Sequence, residues 1–135
     1  MPALTADRPT PKRTGKHLSL PVAAATRIFA GGIVCVNTSN LAVNGATAAN
    51  LKAAGVAKEQ VDNTAGAAGD LRVEVERGTF LFANSAAGDL IALQDIGSTC
   101  FIVDNQTVAK TNGSSTRSAA GVIRDVDTAG VWVEI

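Results

Sequence analysis

One histidine, His17, and two cysteines, Cys35 and Cys100, are the residues of this 135-residue chain best suited to nucleophilic or metal chemistry. A serine or cysteine nucleophile needs a base beside it and a third group to orient that base. His17 stands where a polar N-terminal stretch meets the first apolar run, and no serine sits in a Gly-x-Ser-x-Gly elbow. It can act as a base only if that stretch folds across an active site, so a surface or arm-contact role is the simpler reading. One histidine and two distant cysteines lack the ligands for a closed tetrahedral zinc site. The aspartates are scattered singly, without the alternating Asp/Asn run ending in Glu that a calcium loop uses. Asp125 and Asp127 are close, but they flank the last turn of the chain and read as strand-end residues. Gly66-Ala67-Ala68-Gly69-Asp70 opens a strand pattern rather than a helix, so it cannot gather amides into a phosphate cradle. These residues predict a non-enzymatic protein with no metal and no cofactor.

The charges suggest a different kind of work. The chain is neutral overall, but its first twenty residues hold Arg8, Lys12, Arg13 and Lys16 against Asp7 alone, a net +3 that leaves −3 for the rest. All four prolines, Pro2, Pro9, Pro11 and Pro21, lie in the first 21 residues. Proline fixes φ and lacks an amide donor, so residues 1–17 are expected to form an extended basic arm. Such an arm either stays solvated or orders against a neighbouring subunit. Four cations can neutralise phosphates, yet no aromatic residue is interleaved for base stacking and the body is acidic. Nucleic acid is therefore disfavoured as a partner, and an acidic protein surface satisfies the same charges.

The body, residues 18–135, is long enough to bury one core without metals or disulfides. Aromatics are 4% of the residues, so Val, Ile, Leu and Ala must build that core, which favours thin β layers over a deep cavity. Cys35 and Cys100 each sit inside an apolar run and read as small buried hydrophobes; pairing between them is left open. No apolar segment is long enough to span a bilayer, and no secretory signal pattern opens the chain.

Apolar residues recur with period two. Leu71, Val73 and Val75 alternate with Arg72, Glu74 and Glu76, and Arg77-Gly78 then leads into Thr79-Phe80-Leu81-Phe82, so residues 70–83 are predicted to be a hairpin. A second hairpin is predicted from residues 121–126 and 131–135 around Asp127-Thr128-Ala129-Gly130, with Val131, Val133 and Ile135 on one face and Trp132 and Glu134 on the other. Further strands are expected at 18–22, 32–37, 56–62, 90–93, 99–104 and 107–110. Residues 46–54 have helix propensity and stop at Gly55, the site of at most one short helix. The predicted fold is mainly β: a small barrel or sandwich of short antiparallel strands preceded by the arm. Trp132 is expected either at a subunit contact or sheet rim, or in the core.

Several of these runs, in their order, carry a resemblance. They are Ala30-Gly31-Gly32-Ile33-Val34-Cys35-Val36-Asn37, Val61-Asp62-Asn63-Thr64-Ala65-Gly66, Leu71 through Phe80, Cys100 through Val108, Arg117 through Ile123, and Gly130-Val131-Trp132-Val133-Glu134-Ile135. From residue 18 to 135 the chain resembles the capsid cement, or head decoration, proteins of tailed phages. The resemblance implies a β-rich fold with no catalytic residues and self-association as a homodimer or homotrimer. It also implies binding across junctions of the major capsid protein on the virion exterior, after synthesis in the host cytoplasm. The expected capsid or subunit contacts are Arg8, Pro9, Pro11, Lys12, Arg13, Lys16, His17 and Trp132. The rival readings are another β-rich phage part (tail or head completion), a non-enzymatic binding module, or a small enzyme built on His17.

Overall fold

The period-two runs become twelve short strands in a computed structural model that describes residues 3–135. In chain order they are β1 (His17–Pro21), β2 (Thr26–Ile28), β3 (Ile33–Val36), β4 (Ala42–Asn44), β5 (Lys52–Ala57), β6 (Val61–Asn63), β7 (Arg72–Glu76), β8 (Thr79–Phe82), β9 (Thr99–Ile102), β10 (Val108–Ala109), β11 (Ala119–Asp127) and β12 (Gly130–Glu134). Two five-stranded antiparallel sheets run β1-β7-β5-β3-β4 and β10-β9-β11-β12-β8, and β2 pairs with β6 separately. Beside each large sheet lies one isolated parallel bridge, Val22 with Ala42 and Ala83 with Thr107. Neither sheet closes into a barrel, and the architecture is a sandwich. Helical structure among the described residues is confined to two three-residue 3-10 turns, Ala87–Asp89 and Leu93–Asp95, and no helix is long and apolar enough to cross a membrane.

Two apolar clusters hold the layers together. Ile33, Cys35 and Val56 of the first sheet meet Cys100, Ile102, Ile123, Val131 and Val133 of the second. On the opposite face, Val34, Ala57, Val73 and Val75 meet Ile28 and Val61 of the β2–β6 pair. The unbroken apolar run Ile33-Val34-Cys35 follows from this placement, because β3 is covered on both faces and each neighbour in the run fills a different cluster. Full burial of each Val or Ile contributes roughly 1.5–3 kcal/mol. Both cysteines are buried and free.

The last hairpin forms as expected, with Val131 opposite Val126 and Gly130 opposite Asp127. Asp127 Oδ1 accepts from the amides of Ala129 (2.8 Å) and Gly130 (3.2 Å), which is how a short polar side chain sets a turn. Val131 and Val133 are fully buried and Glu134 is exposed, as the alternation requires.

Three sequence expectations fail, and the one short helix allowed for at residues 46–54 does not form. Residues 70–83 are not a hairpin: β7 pairs with β1 and β5, whereas β8 pairs with β12. Neither Arg77 nor Gly78 takes the positive φ that a two-residue hairpin turn needs. Instead the Arg77 amide donates to Lys16 O in one sheet, and Gly78 O accepts from the Ile135 amide beside the other. The chain crosses between sheets there. Residues 46–54 are not helical either, since Asn50 has φ +64° and distant Ser118 satisfies the local backbone. The Ser118 hydroxyl donates to Ala48 O (2.6 Å) and accepts from the Leu51 amide (3.0 Å).

Gly55 is no helix stop. It lies in β5 at φ +151°, where a Cβ would stand 2.3 Å from Glu76 O. At that bulge Val34 faces Gly55 and Cys35 faces Ala53, so the extra residue re-phases the strand. Residues 56–62 are two strands of different sheets, β5 and β6, separated at Lys58, whose amide donates to Glu74 O. Residues 90–93 form no strand, because the Asn84 side chain takes both backbone groups of Ile91.

Candidate functional site

The arm, residues 3–16, is exposed throughout and has no regular secondary structure. It holds Arg8, Pro9, Pro11, Lys12 and Arg13 on one exposed, irregular stretch. Its local bonds are short-range: the Thr10 amide donates to Arg8 O (2.8 Å), and Arg8 Nη1 donates to Thr10 Oγ1 (3.0 Å). Gly15, at φ +74° with open space around it, turns the chain toward the body. The anchor follows at once. Lys16 Nζ lies 3.5 Å from Glu76 Oε1, and His17 stands opposite Glu76 in the β1–β7 register. His17 thus begins the first strand, and the arm leaves from the edge of the first sheet.

Trp132 is on the other large sheet. It is half-buried on the outward face of β12, in register with Leu81 of β8 and Asp125 of β11. Its indole Nε1 donates to Asp127 Oδ2 at 3.0 Å, so the last turn fixes both the backbone and this ring. That bond, helped by the Ala129 and Gly130 amides, holds the Asp127 carboxyl below its ordinary range. The structure therefore groups the arm residues with one another and with Lys16 and His17, but places Trp132 on a separate sheet, bonded to its own turn.

The residues that suggested chemistry are kept apart. His17 is exposed at a sheet edge, while Cys35 and Cys100 share the larger core cluster. Burial pushes the Cys35 thiol up to about 12 and the Cys100 thiol to about 11. A nucleophilic cysteine requires the opposite shift. Among the described residues, no three His, Cys, Asp or Glu side chains come together as metal ligands. A concavity of about 600 Å³ forms an open trough beside β9 and β11 that includes Lys52, Thr99, Phe101, Asn112 and Arg117.

Sequence reasoning missed a second exposed feature, the loop between β8 and β9. Leu90, Leu93 and Ile96 are 50%, 64% and 46% exposed, while Ile91 between them is buried. The loop is pinned rather than slack. Asn84 Oδ1 accepts from the Ser85 and Ile91 amides, and Asn84 Nδ2 donates to Ile91 O (2.9 Å). Asp95 Oδ2 accepts from the Ala92 amide (2.8 Å), and Asp95 Oδ1 pairs with Lys110 Nζ. Asp89 bonds the Thr111 hydroxyl and lies 3.2 Å from Arg117; the Thr111 bond is the main reason its carboxyl is held below the usual range. The available signal was the adjacency of Leu90 and Ile91, which breaks a period of two.

No protein-family model matches this chain, and neither a curated protein nor a solved structure matches it.

Proposed function

We propose that this protein is a structural virion component that binds the outside of a tailed-phage capsid and cements adjacent major capsid protein subunits. The observation that supports this reading most is the exposed basic arm, without helix or strand, that leaves the edge of the sandwich. It is joined by the ordered resemblance over residues 18–135. Thirteen extended residues, 3–15, reach about 40 Å, enough to cross a subunit junction. An arm of this kind adds main-chain hydrogen bonds at a neighbour's sheet edge, and its cations suit an acidic surface. The partners proposed are the major capsid protein and further copies of this chain, as a homodimer or homotrimer. Multivalency would then turn several weak contacts into firm attachment. Arg8, Pro9, Pro11, Lys12, Arg13, Lys16 and His17 form the leading contact, with Trp132 on a second face.

The test is co-sedimentation of the purified protein with decoration-free expanded capsids at low and moderate salt. Saturable binding at a fixed copy number, weakened by salt, is expected. Absence of binding at every salt concentration would overturn the proposal and bring tail or head-completion roles forward.

A further inference from the structure

Two Asn-Gly pairs occur in the chain, Asn44-Gly45 and Asn112-Gly113. In such a pair the glycine amide nitrogen can attack the asparagine side-chain carbonyl, because no Cβ on the glycine obstructs it. The attack needs a glycine amide free of strong hydrogen bonds and a donor for the carbonyl oxygen as that oxygen gains charge. It also needs a side-chain amino group that is free to leave.

The fold treats the two pairs in opposite ways. Gly45, just past β4, is buried, and its amide donates to Ile33 O at 2.9 Å. Asn44 Nδ2 is held by Arg27 O (2.9 Å), while Asn44 Oδ1 is buried without a donor. At Asn112 each condition is reversed. Asn112 is exposed, and its Nδ2 makes no hydrogen bond among the described residues. Asn112 Oδ1 accepts from the Ser115 amide (3.3 Å), a donor already placed where charge develops. The Gly113 amide has only a long contact with Thr111 Oγ1 (3.4 Å). Gly113, Ser114 and Ser115 then follow at φ +60°, +58° and +67°, three left-handed residues in a row. Two of them carry a Cβ, so the turn is strained. Asn112 keeps it wound, its main-chain oxygen accepting from the Thr116 and Arg117 amides, both at 3.0 Å.

We propose that Asn112 is a modification site at which the fold permits spontaneous deamidation, while it protects Asn44. The Gly113 nitrogen gives its proton to base and bonds to Asn112 Cγ. The Cγ–Nδ2 bond breaks, and ammonia leaves with a proton taken from water. A water molecule then opens the cyclic imide at either carbonyl, leaving aspartate or isoaspartate. One water is consumed, one ammonia is released, and nothing is oxidised or reduced. Either product adds a negative charge to a neutral chain, at the trough that Lys52 and Arg117 line. Isoaspartate also lengthens the main chain by one methylene at the residue that holds the left-handed turn, so residues 113–115 unwind. The inference concerns the free chain and does not rest on the capsid reading.

Incubation of the full chain at mildly alkaline pH, folded and in urea, tests it, with peptide mass spectrometry following each asparagine. In the folded protein Asn112 should convert at least about 100-fold faster than Asn44, whose reaction waits on local opening. Its products should be two peptides of equal mass that separate on chromatography. In urea, where both environments are lost, the two pairs should react at similar rates. Asn112→Gln keeps a side-chain amide but requires a less favourable ring, so it should remove the new acidic species seen on isoelectric focusing of the folded protein. Folded Asn112 that reacts no faster than folded Asn44, a difference that persists undiminished in urea, or an acidic species that survives Asn112→Gln would each overturn the proposal.

Discussion

The arm and the loop between β8 and β9 are both exposed and lack strands, yet they are built in opposite ways. The arm is basic and proline-bearing, and its described residues bond only to close neighbours until Lys16 meets Glu76. The loop is apolar and tied down at Asn84, Asp89, Asp95 and Gly97. Exposure alone therefore says little about freedom. A free charged segment suits a partner that orders it, while a fixed apolar segment suits one that fits a shape already present.

The largest expected contrast is in stability. Asn84→Ala removes three hydrogen bonds and strands the backbone groups of Ile91, so it should cost about 2–3 kcal/mol by urea denaturation. Replacing Arg8, Lys12 and Arg13 together with alanine should move the same midpoint by no more than about 0.5 kcal/mol. Comparable losses from both would erase the distinction.

A second contrast lies in alkaline titration of the body. Both folded thiols sit above the ordinary value of 9.0, at about 12 and about 11. Between pH 9 and 11 the folded chain keeps thiol protons that the unfolded chain releases, so stability falls as pH rises. Their part of the slope is about 1.4 kcal/mol per pH unit for each thiol, is absent below pH 9, and should shrink in Cys100→Ala. The arm, which has no thiol, should contribute nothing to that difference.

Proteolysis gives the smallest and simplest contrast. A broad-specificity protease should trim the arm back to about Lys16 while leaving residues 84–98 intact, although Leu90 and Leu93 are exposed. Asn84→Ala should make the loop cleavable as well. Early cutting in the wild-type loop would show that its clamps do not hold.

What could be read in the sequence was local. The β11–β12 hairpin was legible because its turn residues and both strands are contiguous, and Asp127 carries the turn chemistry itself. The mainly β character followed from the period-two runs. Strand pairing was not legible where sheet membership decides it. Arg77-Gly78 looks like a turn, but its flanks belong to different clusters: Val75 packs with Ile28 and Val61, and Phe82 with Cys100 and Ile102. The apparent helix at 46–54 failed for a comparable reason, since the hydroxyl that organises it belongs to Ser118. The apolar loop was read as a strand because the Asn84 clamp has no periodic signature.

In the proposed role the arm delivers most of the attachment, and Trp132 of the sandwich adds a second contact. The most direct test is co-sedimentation with decoration-free expanded capsids, comparing the full chain with a version lacking residues 1–15. That version keeps Lys16 and all of β1, so its body should retain the full chain's thermal transition. It should bind at least about tenfold more weakly than the full chain, with most of the salt dependence gone. Equal binding and equal salt dependence in the two proteins would contradict this role.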